Sequence, residues 1–280
     1  MTAVTRPARH RQRPSVFGTD GRRFWNLTWT LAVTDWKLRF YGSVLGYFWT
    51  LARPFMFFGV VYVVFTQIVG LDDNVHNYGP YILFGLVLFQ FFSEATSMSV
   101  NALVTRENLL RKMRFPRLVI PLSVVLTALF NLGMTMIAVF AFALISGVDP
   151  RWSWLELPVL IVIVAAFATG CGLLLSALYV RYRDVQPIWD VTMQMLFYAS
   201  PILYVSTLVP EDYQRPYHAN PLASVLAELR HAVLDPNAPH AWEAIGGAPR
   251  LLIPGGIVVI VCVVGLWVFN REAPRIAENL

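Results

Sequence analysis

The chain has 280 residues, of which 56% are hydrophobic and 14% charged, with a formal net charge of +5. Soluble domains carry roughly 25% charged residues, so this balance excludes an ordinary soluble protein and points to an all-α polytopic membrane protein. The basic residues lie between apolar stretches instead of forming one stripe, which argues against a nucleic-acid partner.

Residues 1–21 carry Arg6, Arg9, Arg11 and Arg13 with no apolar run among them. They read as a disordered basic tail near anionic headgroups, and no cleavable signal peptide is expected. Residues 22–41 place Phe24, Leu27, Leu31, Thr34 and Leu38 at helical spacing, with Trp25, Trp29 and Trp36 as amphipathic rings and Lys37 and Arg39 near the end. This pattern predicts an N-terminal amphipathic helix lying in the membrane interface.

A transmembrane helix needs about 20 apolar residues. Six stretches qualify within 45–270: approximately 45–70, 78–103, 117–146, 157–180, 186–204 and 251–269. The fifth is interrupted by Pro187, Asp190, Gln194 and Pro201. Six spans put both termini on one side. With 1–44, 104–117, 181–185 and 270–280 inside, 17 of the 22 Lys and Arg residues are cytoplasmic, which predicts cytoplasmic termini and a tail over 271–280.

Between the second and third stretches lies Arg106–Arg117, RENLLRKMRFPR, with five basic residues in twelve positions. Its spacing predicts a short helix within 104–116, Leu109, Leu110 and Met113 on one face, offered to a docking partner. Residues 205–250 are too rich in proline and charge to span. There Pro201 should kink or end the fifth helix, and Pro221 should open a short one. A broken helix and a returning helix between spans five and six predict a re-entrant pair on the outer face, tolerated where protein or water covers its backbone.

No phosphate-binding loop, H-E-x-x-H or C-x-x-C is present. Cys171 and Cys262 lie in apolar runs and read as buried thiols, with no metal or cofactor site expected. The five histidines (His10, His76, His218, His231, His240) are scattered and read as solvated loop residues. Any work must therefore draw its energy from a partner or an ion gradient. Arg53, Glu94 and Asp190 stand at membrane depth, where charge is costly and defaults to function. They are expected in a common layer, Arg53 paired with Glu94 or Asp190, either as a helix-holding ion pair or as a polar lining. Aromatic residues crowd the first two spans, and Tyr62, Tyr81 and Gln90 have the polar edges suited to lining a conduit.

Four phrases carry a resemblance: DWKLRFYGSVLGYFWTLARP at 35–54, RENLLRKMRFPRLVIPLS at 106–123, RYRDVQPIWDVTMQMLFYASPILY at 181–204 and NPLASVLAELR at 220–230. Over nearly its whole length the chain resembles the membrane subunit of type-2 ABC exporters of polysaccharides, the O-antigen, galactan, teichoic-acid and capsule permeases. The resemblance implies a coupling helix of Arg106, Glu107, Asn108, Leu109, Leu110, Arg111 and Lys112 seated in an ATPase. It implies outer gate helices over 204–232, with Pro201, Tyr204, Asn220 and Pro221 at the gate. It also implies a homodimeric channel in a bacterial plasma membrane, for which Trp189, Phe197 and Tyr198 join the lining candidates. Two separate ATPase subunits would use ATP and Mg, and a lipid-linked glycan would be the substrate. A drug or lipid exporter of the same build, a membrane-embedded glycan-transferring enzyme using Glu211, Asp212 or Glu228, and an ion-coupled transporter remain the alternatives.

Overall fold

The computed structural model describes residues 21–42, 45–70, 77–112 and 116–279. The tail expected over 1–21 lies outside them apart from Gly21. Among the described residues every regular element is helical, as a chain in lipid requires when each backbone group must be satisfied locally. In chain order these are α1 (Gly21–Phe40), α2 (Gly46–Val63, prolonged by a π turn to Ile68), α3 (Tyr78–Thr105), α4 (Glu107–Lys112) and α5 (Val119–Ile145). Then come α6 (Leu157–Arg181), α7 (Val185–Tyr198), α8 (Glu211–His218), α9 (Pro221–Leu229), α10 (Ala241–Ala244) and α11 (Leu252–Asn279).

Among the described residues, five segments are long and apolar enough to cross a membrane: Phe48–Ile68, Tyr78–Val100, Val119–Ile145, Trp152–Arg181 and Ala248–Glu272. The fifth expected span, 186–204, is not among them. α7 has 14 residues and a length of ~21 Å, and the chain leaves the helix three residues before Pro201. The expected tail over 271–280 instead continues α11 to Asn279.

α3 is the central helix, with 72% of its apolar window buried against 17% for Phe48–Ile68 and Ala248–Glu272. It packs on α5 and α6, with α2 and α7 on its remaining side. α6 and α11 form the most extensive helix pair. They cross where Gly170 meets Gly265 and Cys262: a Cβ on Gly265 would overlap the Gly170 carbonyl oxygen, and one on Gly170 would stand 2.9 Å from Cys262 Cα. Small residues that let two backbones touch are the usual device for joining helices in lipid, where apolar surface alone gives no preference for protein over solvent.

Helix ends are set by local chemistry. α5 closes on Gly147 at φ 87°, with Val148 N–H returning to the Ala143 carbonyl at 3.0 Å, a left-handed terminus that glycine takes without strain. Asn77 takes φ 57° before α3 and its side-chain amide donates to the Leu234 carbonyl at 2.9 Å. Asn220 caps α9, its Oδ1 accepting from Leu222 N–H at 3.0 Å, with Pro221 in the first turn as the sequence predicts.

Candidate coupling and conduit sites

α1 lies against α5 and buries Thr28, Ala32 and Phe40, while Trp25, Trp29, Lys37, Leu38 and Arg39 are exposed. The buried stripe is thus one position off the Leu27–Thr34–Leu38 face expected from the sequence. Its polar residues reach into the bundle. Asp35 forms an ion pair with Arg106 at the end of α3, and the other arm of that guanidinium donates to Ser123 Oγ on α5 at 2.9 Å. One turn along, Thr127 Oγ donates to the Ala32 carbonyl at 3.2 Å. Trp36 Nε1 donates to Asn131 Oδ1 at 3.0 Å, Asn131 Nδ2 donates to Glu94 at 2.7 Å, and Glu94 is ion-paired with Arg39. Three helices are therefore joined by one polar chain. Burial raises the Asp35 carboxyl above its ordinary range, with Arg106 and Arg39 pulling it back down. Burial also lowers Arg117, just before α5.

α4 follows Arg106 directly. Leu110 leans on a small second core of Leu103, Leu118, Ile120 and Phe269, which Phe24 of α1 also touches. The expected short helix is thus present from Glu107 to Lys112, with Asn108 exposed and Glu107, Leu109 and Leu110 half-buried. The Arg111 and Lys112 side chains and Met113–Phe115 lie outside the described set. Arg106, expected to meet a partner, is engaged within the chain.

The expected charged layer does not assemble. Glu94 takes Arg39 and Asn131 in place of Arg53, and Arg53 on α2 and Asp190 on α7 are both exposed. Arg39 won because α1 folds back onto α3 and α5, a long-range contact that spacing within the spans cannot reveal. Gln90 and Glu94, with Thr50, Asn131 and Thr135, line a cleft of about 20 Å³, room for one water.

Two of the lining candidates anchor α7. Trp189 Nε1 donates to Thr96 Oγ at 3.1 Å, and the Phe197 ring lies 5.3 Å from Phe89 and 6.3 Å from Phe57. Tyr62 is half-buried beside Phe58 at 5.5 Å, and Tyr198 is 70% exposed. Tyr81 faces no opening. It is 2% exposed, and its hydroxyl points at the Pro201 and Tyr204 carbonyls. It holds the turn that ends α7, which is why a polar aromatic sits inside an apolar helix. Burial costs an unpaired hydroxyl heavily.

Beyond that turn α8, α9 and α10 form a helical cap. Asn220 Nδ2 donates to Ser200 Oγ at 3.1 Å, Tyr217 donates to Tyr204 Oη at 3.1 Å, and Pro201 and Pro221 are buried. The histidines here are not scattered, solvated loop residues. The His231 and His240 rings lie 3.4 Å apart, His240 Nδ1 is 3.0 Å from Glu228, and His218 is 1% exposed. The turn from α9 into α10 brings His231, His240 and Glu228 together, while His218 is buried separately at the end of α8.

Residues 26–234 match the family described as ABC-2 type transporter. An O-antigen export system permease protein, RfbA, of Klebsiella pneumoniae is 30% identical over 247 residues, 88% of this chain and 92% of that protein. The RfbA of Myxococcus xanthus is 28% identical over 257 residues, covering 90% and 94%. The polysialic acid transport protein KpsM of Escherichia coli is 22% identical over 209 residues, covering 73% and 80%.

Proposed function

Because the chain belongs to the ABC-2 type transporter family, we propose that it is the channel-forming permease of an ATP-driven exporter that moves a lipid-linked polysaccharide of O-antigen type across the bacterial plasma membrane. The observation that carries this reading is the end-to-end likeness to a protein named as an O-antigen export permease, 88% of this chain against 92% of that one.

The geometry supports a division of labour. α4 is the input, the docking helix for a cytosolic ATPase subunit that would hold ATP and Mg. A thrust on α4 reaches α1 through Arg106 and Asp35 and reaches α5 through Ser123, so the three move as one block. α2 and α7 keep their outer flanks uncovered, with Arg53, Met56, Phe57 and Val60 on one and Asp190, Val191, Met195 and Tyr198 on the other exposed. In the proposed homodimer a second copy faces these flanks, and the glycan passes between them. α7 with the turn through Tyr204 serves as the fifth of six crossings, leaving both termini cytoplasmic, in keeping with the bias of Lys and Arg toward that side. α1 is then the interfacial helix, its exposed Trp25 and Trp29 at headgroup level. The segment from Tyr204 to Ala232 is the re-entrant gate on the outer face.

Depletion of the protein tests the reading. Lipid-linked glycan should accumulate on the cytoplasmic leaflet and disappear from the cell surface. Unchanged surface glycan with none accumulated inside would overturn it.

A further inference from the structure

His218 ends α8 where the chain turns into α9. Its ring is 1% exposed, and neither ring nitrogen has a hydrogen-bond partner among the described residues. An unsatisfied buried polar ring is rare and costly. Its surroundings hold it nevertheless: the Tyr217 ring meets it edge-on at 5.5 Å, and Ser224 Oγ of α9 donates to its carbonyl at 2.7 Å. We propose that His218 is an acid-release latch of the helical cap, which seats α8 on α9 while its imidazole is neutral and frees α8 once it is protonated.

Among the described side chains, the charged groups of the elements around it are already committed. Glu228 of α9 accepts from Ala241 N–H at 2.8 Å and contacts His240. Glu243 of α10 accepts from His240 N–H at 3.1 Å. Arg230, on the π turn after α9, pairs at 3.6 Å with Asp235, which follows that turn. On α8 itself Asp212 is exposed, and Tyr217 points its hydroxyl at Tyr204. Among the described side chains, His240 thus has a carboxylate to receive a proton's charge, and His218 has none. Burial alone lowers the His218 imidazole below its ordinary value. The folded seat binds a proton less readily than the released helix does. Its stability is therefore full above the ordinary imidazole range and is lost as pH falls through the lowered value. This inference concerns the conformation of the cap and stands apart from the identity of the transported substrate.

A nitroxide label on Asp212→Cys, in the membrane-reconstituted full chain with Cys171→Ala and Cys262→Ala, reads the motion of α8. From about pH 7.5 to 5 its mobile fraction should rise, at most about tenfold relative to the immobile one per pH unit for a single proton. His218→Phe and His218→Gln should abolish that rise, and His218→Lys should leave the label mobile at every pH. A label insensitive to pH in the parent chain overturns the latch. So does an acid response that survives in both neutral variants, or one that His240→Gln removes while His218→Gln keeps it.

Discussion

Asp35 and Arg106, 71 positions apart, are ion-paired across the junction of α1, α3 and α5. Both side chains are only partly screened from solvent, at 28% and 20% exposure, so the pair is worth more than a surface contact and less than a buried one. Its position, directly before α4, makes it a mechanical joint between the first helix of the chain and the proposed input.

A double-mutant cycle of Asp35→Asn and Arg106→Gln should return a coupling energy of about 1 kcal/mol in the unfolding of the reconstituted protein. The same variants should weaken glycan export more than ATP hydrolysis in the assembled transporter. Additive effects in both assays would show that the joint transmits nothing.

Reversing charge at Arg111 and Lys112 should cut the coupling of ATP hydrolysis to transport and leave the melting of the helices in place, because α4 sits outside the apolar spans. Transport measured against hydrolysis decides this. Normal export by Arg111→Glu/Lys112→Glu would return α4 to a loop that only fixes orientation.

Glu94→Gln keeps an acceptor for Asn131 and Arg39 and loses one charge. It should lower stability by about 1 kcal/mol with near-normal export, since Glu94 closes a helix-joining network. A collapse of export at unchanged stability would place Glu94 on the substrate path.

Gly265→Val should damage the α6–α11 crossing more than any apolar substitution on the exposed face of α11. The added atoms meet the Gly170 backbone, which cannot rotate away. A loss of about 1–3 kcal/mol is expected from overpacking, read as a lower thermal midpoint in nanodiscs. Val259→Leu, on the 61% exposed side, is the control and should melt with the parent chain.

Asn220→Ala removes the cap of α9 and its bond to Ser200, and should cost about 1 kcal/mol. Hydrogen exchange should report it first in 220–229.

What the sequence revealed was whatever has local cause. Apolar length located five spans, the RENLLRK spacing located α4, and Pro221 marked the start of α9. The misjudged residues owe their places to contacts across the fold. Arg39 reaches Glu94 because α1 folds back against the bundle. Tyr81 turned inward because the carbonyls after α7 needed a donor. His231 and His240 meet because the chain turns back between α9 and α10, and His218 is buried separately at the end of α8. Asn131, in the run LFNLGM, was the overlooked signal: an amide in an apolar helix calls for a polar partner, and Trp36 and Glu94 supply it.

α7 also has a bearing on the lipid around it. A helix of ~21 Å is about a third shorter than the ~30 Å hydrocarbon layer it meets in the six-crossing arrangement. Such hydrophobic mismatch is relieved by thinning of the adjacent bilayer. In the proposed dimer, bilayer reaching the mouth of the conduit beside α7 would be pinched there, shortening the distance a phosphate-bearing headgroup must travel from one leaflet to the other.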